Sequence, residues 1–479
     1  MRSRPSALLL ALAACGGGPS KPPPPTPLTV AQLQDPTQCR TCHPTQFADW
    51  SSSMHAYAAS DPVFLAMNQR GQRETDGGLG NFCLQCHEPM VAVVGLLPDA
   101  GPAVQGVTCY FCHSVAEVAG AHDDALVLDG GFYGEIENPI AGIPHGAVYS
   151  ALHDAANATS STMCGSCHDI VNGHGAYLER TFGEWADSGF AHPPSGLSCA
   201  QCHMPAPQLA PVASVPGAPA RPLHRHAFPA VDSALTTFPG QPGLRAQVAS
   251  LLATELQGAV CVEQFQGGAQ IQVIYDNVAA GHDFPSGAVQ DRRVWVDVEA
   301  QDADGGLLYR SGAVDAGDDP TQNADPDFWM LRDCLYGADG GQVHMFWEAY
   351  QTEGNELPVL ATFDPTDPRF YQNHVLQTYP RSTYLGQTPA QVTVQVYVLP
   401  MGYDVLNDLV ASGDLDPSFV AKMQRLPVGD PIVWTPDTVN GNYVDPNNTG
   451  ANQSVPCVTN GLSLKATPVR ATAHVGCFP

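Results

Sequence analysis

Basic residues are scarce in this sequence, and long hydrophobic runs are missing from its body. The chain has 20 Lys and Arg against 47 Asp and Glu, which gives a formal net charge of -27 at pH 7. Such acidity argues against nucleic acid and anionic lipid as partners and favours a cationic or cation-bridged one. It is explained equally well as a means of keeping the protein in solution. After residue 15 no stretch approaches the roughly 20 apolar residues that span a bilayer.

Cysteine, by contrast, is plentiful and follows a strict pattern. The motif C-x-x-C-H occurs five times, and its first cysteines are Cys39, Cys83, Cys109, Cys164 and Cys199. The second cysteines are Cys42, Cys86, Cys112, Cys167 and Cys202, and the histidines are His43, His87, His113, His168 and His203. Two thiols at this spacing add across the vinyl groups of one porphyrin, and the adjacent imidazole binds the iron.

Other uses of paired cysteines fit this pattern less well. Zinc knuckles, redox-active dithiols and structural disulfides do not require a histidine directly after the second cysteine. All five pairs have one. The sequence therefore predicts five covalently bound haem c groups, held by the ten cysteines above and ligated by the five proximal histidines.

The start of the chain has the features of an export signal. A basic flank and a short apolar run end in Leu-Ala-Ala-Cys at residues 12–15, and this run is too short to remain as a membrane span. The sequence resembles a bacterial lipobox, which predicts a signal peptide in residues 1–15 with lipid on Cys15. An ordinary signal peptide cut near Gly18 is the alternative. Residues 16–36 are rich in proline and predict an extended tether.

This start predicts a location for the protein as well. Gly16 after the lipidated cysteine resembles the sorting pattern of outer-membrane lipoproteins, so we expect a lipid-anchored protein at the outer membrane or cell surface. Export also fits the chemistry, since c-type haem is attached outside the cytoplasm. The four remaining cysteines, Cys261, Cys334, Cys457 and Cys477, predict two disulfides in that oxidising setting. Three pairings are possible, and the sequence does not choose among them.

The haem region is predicted at residues 37–230. Five haems in fewer than 200 residues leave too little chain for an ordinary side-chain core, so the porphyrins themselves must form the core. We expect loops and short helices, at residues 45–58 and 175–189, wrapped over closely stacked rings. Such packing would let electrons pass between neighbouring irons.

The sixth iron ligand separates an electron carrier from an enzyme, because an open position lets a small molecule bind. Of the 17 histidines, twelve remain after the proximal five are assigned. His55 is the first candidate because it follows Trp50 on a short predicted helix. The other candidates in this region are His145, His153, His224 and His226, and at least one of the last two should bind iron.

Three segments carry a family resemblance. They are C-G-S-C-H-D at 164–169, T-F-G-E-W-A-D-S at 181–188 and C-A-Q-C-H-M-P at 199–205. Residues 37–230 thereby resemble the multihaem cytochrome superfamily that includes the tetrahaem cytochrome of nitrifiers and hydroxylamine oxidoreductase. Its members include carriers and enzymes. This chain has no C-x-x-C-K motif and no more than five haem motifs, and both departures favour the carrier.

The C-terminal part changes to strand-like alternation. After a connector at 231–250, residues 251–479 predict an antiparallel β-sandwich, with strands at 260–265, 270–278, 293–299, 307–310 and 391–399. The fold class is therefore mixed: a loop-rich, mainly α pentahaem domain followed by a β-sandwich. Residues 277–287 resemble a motif of β-sandwich domains fused to multihaem cytochromes. That resemblance implies that His282 is a distal iron ligand supplied across the domain boundary; a turn-capping histidine is the alternative.

These expectations combine into one functional hypothesis. The protein would be an outer-membrane or surface pentahaem cytochrome that passes respiratory electrons to an extracellular acceptor or a partner cytochrome. It could also polymerise head to tail. The main alternative is a periplasmic reductase of a small nitrogen or sulfur oxyanion at one five-coordinate haem. A binding module carried by the sandwich is a third hypothesis.

Overall fold

The structure is a computed structural model of the whole chain. It describes residues 28–95, 105–120, 122–136, 145–444, 454–464 and 469–470. The predicted signal peptide, Cys15, the first part of the tether and Cys477 lie outside these residues.

Helices dominate the N-terminal part but are short. The α-helices, numbered α1 to α13 along the described chain, are Val30–Leu33, Pro36–Cys39, Pro44–Trp50, Met54–Tyr57, Pro62–Glu74, Leu84–His87, Pro89–Ala92, Cys109–His113, Ser161–Gly165, Thr181–Asp187, Cys199–His203, Gln241–Glu255 and Tyr403–Ala411. Single 3-10 turns occur between them. Among the described residues, no helix is both long and apolar enough to cross a membrane.

Strands dominate after α12. The strands, numbered β1 to β22, are Val115–Val118, Leu126–Leu128, Tyr133–Gly134, Val148–Tyr149, Ile170–Val171, Tyr177–Glu179, Leu209–Pro211, Ala220–Pro222, Leu256–Phe265, Gly268–Asn277, Arg293–Gln301, Leu307–Ser311, Trp329–Leu331, Asp333–Tyr336, Gln342–Val343, Gln351–Gly354, His374–Tyr379, Gln391–Leu399, Leu426–Trp434, Gly441–Val444, Ser454–Thr459 and Val469–Arg470. β1 to β8 form only two-stranded pairs.

Local sequence explains why the N-terminal helices are brief. Proline opens α3 directly after His43 and opens α5 directly after its cap, Asp61. Proline suits the first helical position because its missing N–H would have no intrahelical partner there. Thr108 and Ser198 cap α8 and α11, so each of these helices begins at the first cysteine of a haem motif and ends at its histidine. The chain therefore presents its motifs on separate one-turn helices joined by loops.

The C-terminal strands form two main sheets. The first has the order β20-β21-β9-β10-β17-β22, and the second runs β12-β11-β18-β19 with β13 also paired to β11. Pairing is antiparallel except between β17 and β22. Buried side chains from both sheets meet in one cluster, which includes Val260, Ile271 and Tyr275 of the first sheet and Val296 and Val394 of the second. The two sheets therefore pack around a common core.

A disulfide links two neighbouring strands of the first sheet. Cys261 of β9 and Cys457 of β21 lie opposite each other in the strand pairing and are bonded. Cys334 is disulfide-bonded as well. The structure thus chooses among the pairings that the sequence left open. Because the first bridge closes a loop of 196 residues in sequence separation, it restricts the unfolded chain strongly.

Two differences from the predicted layout concern the segments between domains. Helix α12 starts inside the predicted connector, and its Leu244, Val248 and Leu252 lie in the core of the sheets. Their four-residue spacing forms one apolar stripe, which is why the segment packs as a helix. In the predicted tether, residues 30–33 form a helical turn with a capping box from Thr29. Residues 16–27 of the tether lie outside the description.

Helix α5 joins the N-terminal part to the sheets. Its Val63 and Met67 are buried in a cluster with Leu406 and Leu409 of α13. Beside them, Arg70 pairs with Asp408 at 3.0 Å. This interface combines apolar burial with ion pairing, so it holds the two parts in a fixed relation.

All five strands predicted from alternation are present as β9, β10, β11, β12 and β18, with ends shifted by a few residues at most. The strands β13 to β17 and β19 to β22 were not predicted. Several of these are only two to four residues long, too short to show a period.

The buried carboxyl of Asp291 predicts a pH-dependent stability. Its side chain is buried and Oδ1 has no hydrogen-bond partner, whereas neighbouring Arg293 is paired with Asp404 at 2.5 Å. Burial raises the pKa of Asp291 to about 7, against the opposing effect of Arg293 and Arg292. The folded state therefore binds this proton more tightly than the unfolded chain, and stability falls as pH rises from about 4 to 7.

We expect Asp291→Asn to remove this part of the pH dependence, which is at most about 1.4 kcal/mol per pH unit. The measurement is the urea midpoint at pH 5 and pH 7. Asp318→Asn, at an exposed position, is the control and should keep the wild-type response. An unchanged pH response in Asp291→Asn would contradict the prediction.

Candidate haem sites

The five motif histidines share one arrangement. In four of them, Nδ1 lies within hydrogen-bond distance of an oxygen: Val212 O for His43 at 2.9 Å, Tyr133 O for His113 at 2.7 Å, Glu179 Oε1 for His168 at 2.9 Å and Pro229 O for His203 at 2.9 Å. His87 bonds to the backbone of Ala58. Donation from Nδ1 fixes the tautomer and leaves the lone pair on Nε2, which is how metal-binding imidazoles are usually oriented.

The backbone of each motif folds into a single turn. In the first, second and fourth motifs, the histidine N–H donates to the carbonyl of the first cysteine, at 2.8, 3.1 and 3.0 Å. One turn places residues three apart on the same side of the helix. Both thiols of a motif therefore project together, with the imidazole beside them, as attachment to one porphyrin requires.

Thiols of different motifs contact each other. The thiols of Cys39 in the first motif and Cys109 in the third are within hydrogen-bonding reach of each other. The fourth motif has two such contacts, from Cys167 to Cys86 of the second motif and from Cys164 to Cys199 of the fifth. The third and fourth motifs are close enough for Cys112 and Cys167 to interact electrostatically. The five motifs are therefore linked to one another through these interactions, with the fourth at the junction.

Two motif histidines have a second imidazole nearby, at a ring separation that fits two ligands of one metal. With metal–nitrogen bonds of about 2 Å and about 1.1 Å from nitrogen to ring centre, imidazoles on opposite sides of one metal have centres about 6 Å apart. The ring centres of His43 and His145 are 6.1 Å apart, and those of His55 and His168 are 6.2 Å apart. Both pairs join candidates that are remote in sequence.

The surroundings of His113 are more crowded. The ring of His153 lies 5.7 Å away, but its Nε2 contacts Cys112 O at 2.8 Å and its Nδ1 is buried without a hydrogen-bond partner. His226 is also close enough to act on His113 electrostatically. The structure therefore brings two of the candidate histidines to this motif.

His282 reaches the fifth motif from the C-terminal domain. It interacts electrostatically with His203, and its Nδ1 lies 2.9 Å from Asp283 O. Asn277 steadies the loop by donating to His282 O at 2.7 Å. The loop that begins and ends in the two sheets thus places an imidazole among the haem motifs.

The same loop is bonded to helix α10. Ser286 donates to Glu184 Oε2 at 2.6 Å, and the Asp283 N–H contacts the same oxygen at 3.1 Å. Thr181 Oγ1 and Ser286 Oγ lie 2.8 Å apart. Burial and the nearby Asp283 raise the pKa of Glu184 to about 8. Glu184 is therefore largely protonated at neutral pH, and a buried charge is avoided at this contact.

Both ring nitrogens of His224 have protein partners. Its Nδ1 is 2.8 Å from Met204 O and its Nε2 is 3.4 Å from Glu135. The segment is held by Arg225, which donates twice to Asp49, with both distances at 2.6 Å. The structure thus directs His226, and not His224, towards the first and third motifs.

Burial keeps most of these imidazoles neutral. It lowers the pKa to about 3 for His55 and His113 and to about 4 for His282. His168 is different: burial lowers its pKa, but the bond to Glu179 outweighs that effect and the pKa is raised. Neutral imidazoles have a free lone pair at neutral pH, which is the form that binds metals.

Sequence reasoning missed the residues that hold the imidazoles. Glu179 lies in β6, and nothing in the sequence around it indicates a contact with His168. The other partners are backbone carbonyls, which have no sequence signal. Phe64 was missed too, although its ring stacks on His87 at 4.3 Å and is almost parallel to it.

The donor set fits haem c on several counts. Paired thiols project from one helical turn beside an imidazole with a free Nε2, and two imidazole pairs have the separation that an iron between them requires. Among the described residues, no cluster of three or more His, Cys, Asp or Glu side chains is arranged to hold a bare metal ion. The paired thiols and the paired imidazoles are the features that fit haem c.

Comparisons with known proteins agree with this chemistry. Residues 38–114, which include the first three motifs, match a family model described as cytochrome c554 and c-prime. The whole structure is similar to a penta-heme cytochrome c552 from Thermochromatium tepidum, with a TM-score of 0.58 and 19% identity over 84% of this chain and 100% of that one. The fold is that of a multihaem c-type cytochrome. No curated protein sequence matches the chain.

The predicted mixed fold class is confirmed, with helices in the N-terminal part and antiparallel sheets in the C-terminal part. The family model, which spans the first three motifs, supports covalently bound haem c. The relation to the hydroxylamine oxidoreductase superfamily and the lipid anchor stay predictions.

Asp49 should control the segment that holds His226. Its carboxylate is buried and receives two bonds from Arg225 and a third from the His226 N–H at 3.2 Å. We expect Asp49→Asn to weaken these bonds by about 1–3 kcal/mol. Hydrogen exchange of the amides at 224–228 should therefore become faster.

Asp35→Asn is the matched control, because Asp35 caps a short helix by accepting from the Thr37 N–H and does not contact this segment. Exchange at 224–228 should keep its wild-type rate in that variant. Equal rates in Asp49→Asn and wild type would contradict the role assigned to Asp49.

Proposed function

We propose that this protein is an electron-transfer cytochrome with five covalently attached haem c groups, one at each C-x-x-C-H motif. The observation that carries the proposal is the contact between thiols of different motifs, which joins all five attachment points in one network. The five motifs of the sequence support the number, as does the penta-heme neighbour.

Bound haem would supply a one-electron iron couple at each motif. The chain's own residues set the geometry around it. The thiols would fix the position of each ring, and the hydrogen bonds of the motif histidines would fix the planes of their imidazoles. The thiol contacts define a route from the first motif through the third to the fourth, from which the second and the fifth branch.

We propose three distal ligands from the ring geometry. His145 lies opposite His43, His55 lies opposite His168 and His282 lies beside His203. For the third motif the candidates are His153 and His226. Bonding from His153 would have to come from Nδ1, because its Nε2 contacts the carbonyl of Cys112. His224 is disfavoured as a ligand by its contact with Glu135.

The cellular role that we propose is respiratory electron transfer at the outer membrane or cell surface, through a lipid on Cys15. Electrons would pass to an extracellular acceptor, to a partner cytochrome or along a polymer of this chain. The lipobox-like sequence supports the anchor, and the acidic composition supports a cationic or cation-bridged partner surface. The two-sheet core, arranged as a β-sandwich, would brace the haem region.

The alternative is a multihaem reductase of a small nitrogen or sulfur oxyanion, which requires one iron with an open sixth position. The observation that favours it concerns His87. Its ring contact is the phenyl ring of Phe64, and none of the described histidines forms a ring pair with it. If the second motif binds haem without a distal imidazole, that iron is the site to test for substrate.

Haem stoichiometry and magnetic coupling test the proposed function. We expect five haems per chain by pyridine haemochrome assay, all resistant to acid-acetone extraction because they are bound through thioethers. Their EPR signals should show spin–spin coupling, because the five motifs are linked to one another through the thiol interactions. Fewer than five haems, or five magnetically isolated centres, would refute the proposal. Turnover of nitrite or sulfite at a high-spin haem would favour the alternative.

The distal ligands predict a specific spectroscopic change. We expect His55→Ala and His145→Ala each to convert one low-spin haem to high spin, because each removes one of two axial imidazoles. The measurement is low-temperature EPR of the oxidised protein. His174→Ala is the control, since that ring stacks on Tyr350 at 4.0 Å and should leave the spin states unchanged. A wild-type count of low-spin haems in His55→Ala would remove His55 from the ligand set.

A further inference from the structure

One proximal histidine differs from the other four in its hydrogen-bond partner. His168 of the fourth motif contacts a carboxylate, Glu179 Oε1, at 2.9 Å. The other four use neutral backbone carbonyls. A hydrogen bond to an ionised acceptor is roughly twice as strong as one between neutral groups.

Glu179 is well placed to act as a charged acceptor. It lies at the end of β6, with only 13% of its side chain exposed. Thr181 Oγ1 donates to the same oxygen at 3.4 Å. The guanidinium of Arg292 lies near this carboxylate and is itself paired with Asp232 at 3.2 Å. The negative charge of the Glu179 carboxylate therefore acts on the imidazole of His168.

We propose that Glu179 tunes the fourth haem site and makes it the centre with the lowest reduction potential of the five, because the other four motif histidines have neutral hydrogen-bond partners. Because Glu179 accepts a strong hydrogen bond from Nδ1, the His168 ring gains imidazolate character. Its Nε2 is then a stronger electron donor to the iron. A stronger donor and a nearby negative charge both stabilise ferric over ferrous iron. Glu179 acts through His168 and is therefore a positioning residue.

The fourth motif interacts with three of the other motifs, so a change in its potential affects transfer to all of them. Its two cysteines contact the second and fifth motifs, and Cys167 also interacts with the third. The site of lowest potential is then the junction of the network. An electron would cross the junction uphill in energy and rest on the outer sites, so Glu179 would govern how fast the branches exchange electrons. This inference rests on the proposed function.

The test is a single charge-removing substitution in the full haem-loaded protein. Glu179→Gln keeps an oxygen acceptor of the same length but removes the charge. We expect the potential of one haem to rise, with at least a tenfold change in its reduction equilibrium, which is 59 mV for one electron. The other four potentials should stay near their wild-type values. EPR-monitored redox titration resolves the centres.

Two variants separate the hydrogen bond from a simple field effect. Asp169→Asn removes a buried carboxylate next to His168 that accepts from His122 and the Gly183 N–H, without touching the His168 ring. Its shift should be clearly smaller than that of Glu179→Gln. Glu179→Asp keeps the charge but is shorter by one methylene, which weakens the hydrogen bond, so it should recover only part of the low potential. Unchanged potentials in Glu179→Gln, or an equal shift in Asp169→Asn, would overturn the inference.

The wild-type protein provides an independent readout if a variant does not fold. One low-spin ferric signal should show the reduced g-anisotropy of an imidazolate-like ligand, and five signals of the neutral-imidazole type would overturn the inference. Haem attachment is checked on the peptide that contains Cys164 and Cys167. A peptide without haem refutes both the inference and the proposed function. A haem-bearing peptide with unshifted potentials refutes the inference alone.

Discussion

The hydrogen bond that holds the imidazole of each motif histidine, at Nδ1 in four of the five, is the interaction on which the N-terminal part depends. A one-turn helix can bring two thiols and an imidazole together, but it cannot fix how the imidazole ring is turned. That is done by an oxygen from elsewhere in the chain, such as Val212 for His43 or Pro229 for His203. These bonds draw the later loops back over the earlier motifs. In a region with few buried apolar side chains, they set the path of the backbone.

The sequence predicted those parts of the structure that have local signals. The five haem motifs follow from residue spacing, and β9, β10, β11, β12 and β18 follow from alternation. The partners of the motif histidines could not be predicted in the same way. A backbone carbonyl is available at every residue, so its selection as an acceptor depends on the tertiary path alone. Glu179 carries no signal either, because an isolated glutamate after a short strand has many possible roles.

The distal candidates fall between these cases. The sequence indicated histidine as the kind of residue, and the abundance of histidine made the set easy to name. It did not supply the pairing, because His43 and His145, like His55 and His168, come together only through the fold. His224 and His226 illustrate the limit: they are two residues apart, yet one faces Glu135 and the other faces the motif histidines. That difference depends on how Asp49 and Arg225 hold the segment between them.

The β-sheets contribute rigidity to a site that they do not contain. The loop with His282 begins after β10 and ends before β11, and these strands belong to different sheets around one core. The core therefore fixes both ends of the loop, and Glu184 and Thr181 fix its middle from the haem side. Because the loop is held at three points, His282 has little freedom to move when the charge of a neighbouring haem changes. When the structure changes little on electron transfer, the reorganisation energy of each transfer is small. A rigid β domain therefore suits a role in conduction.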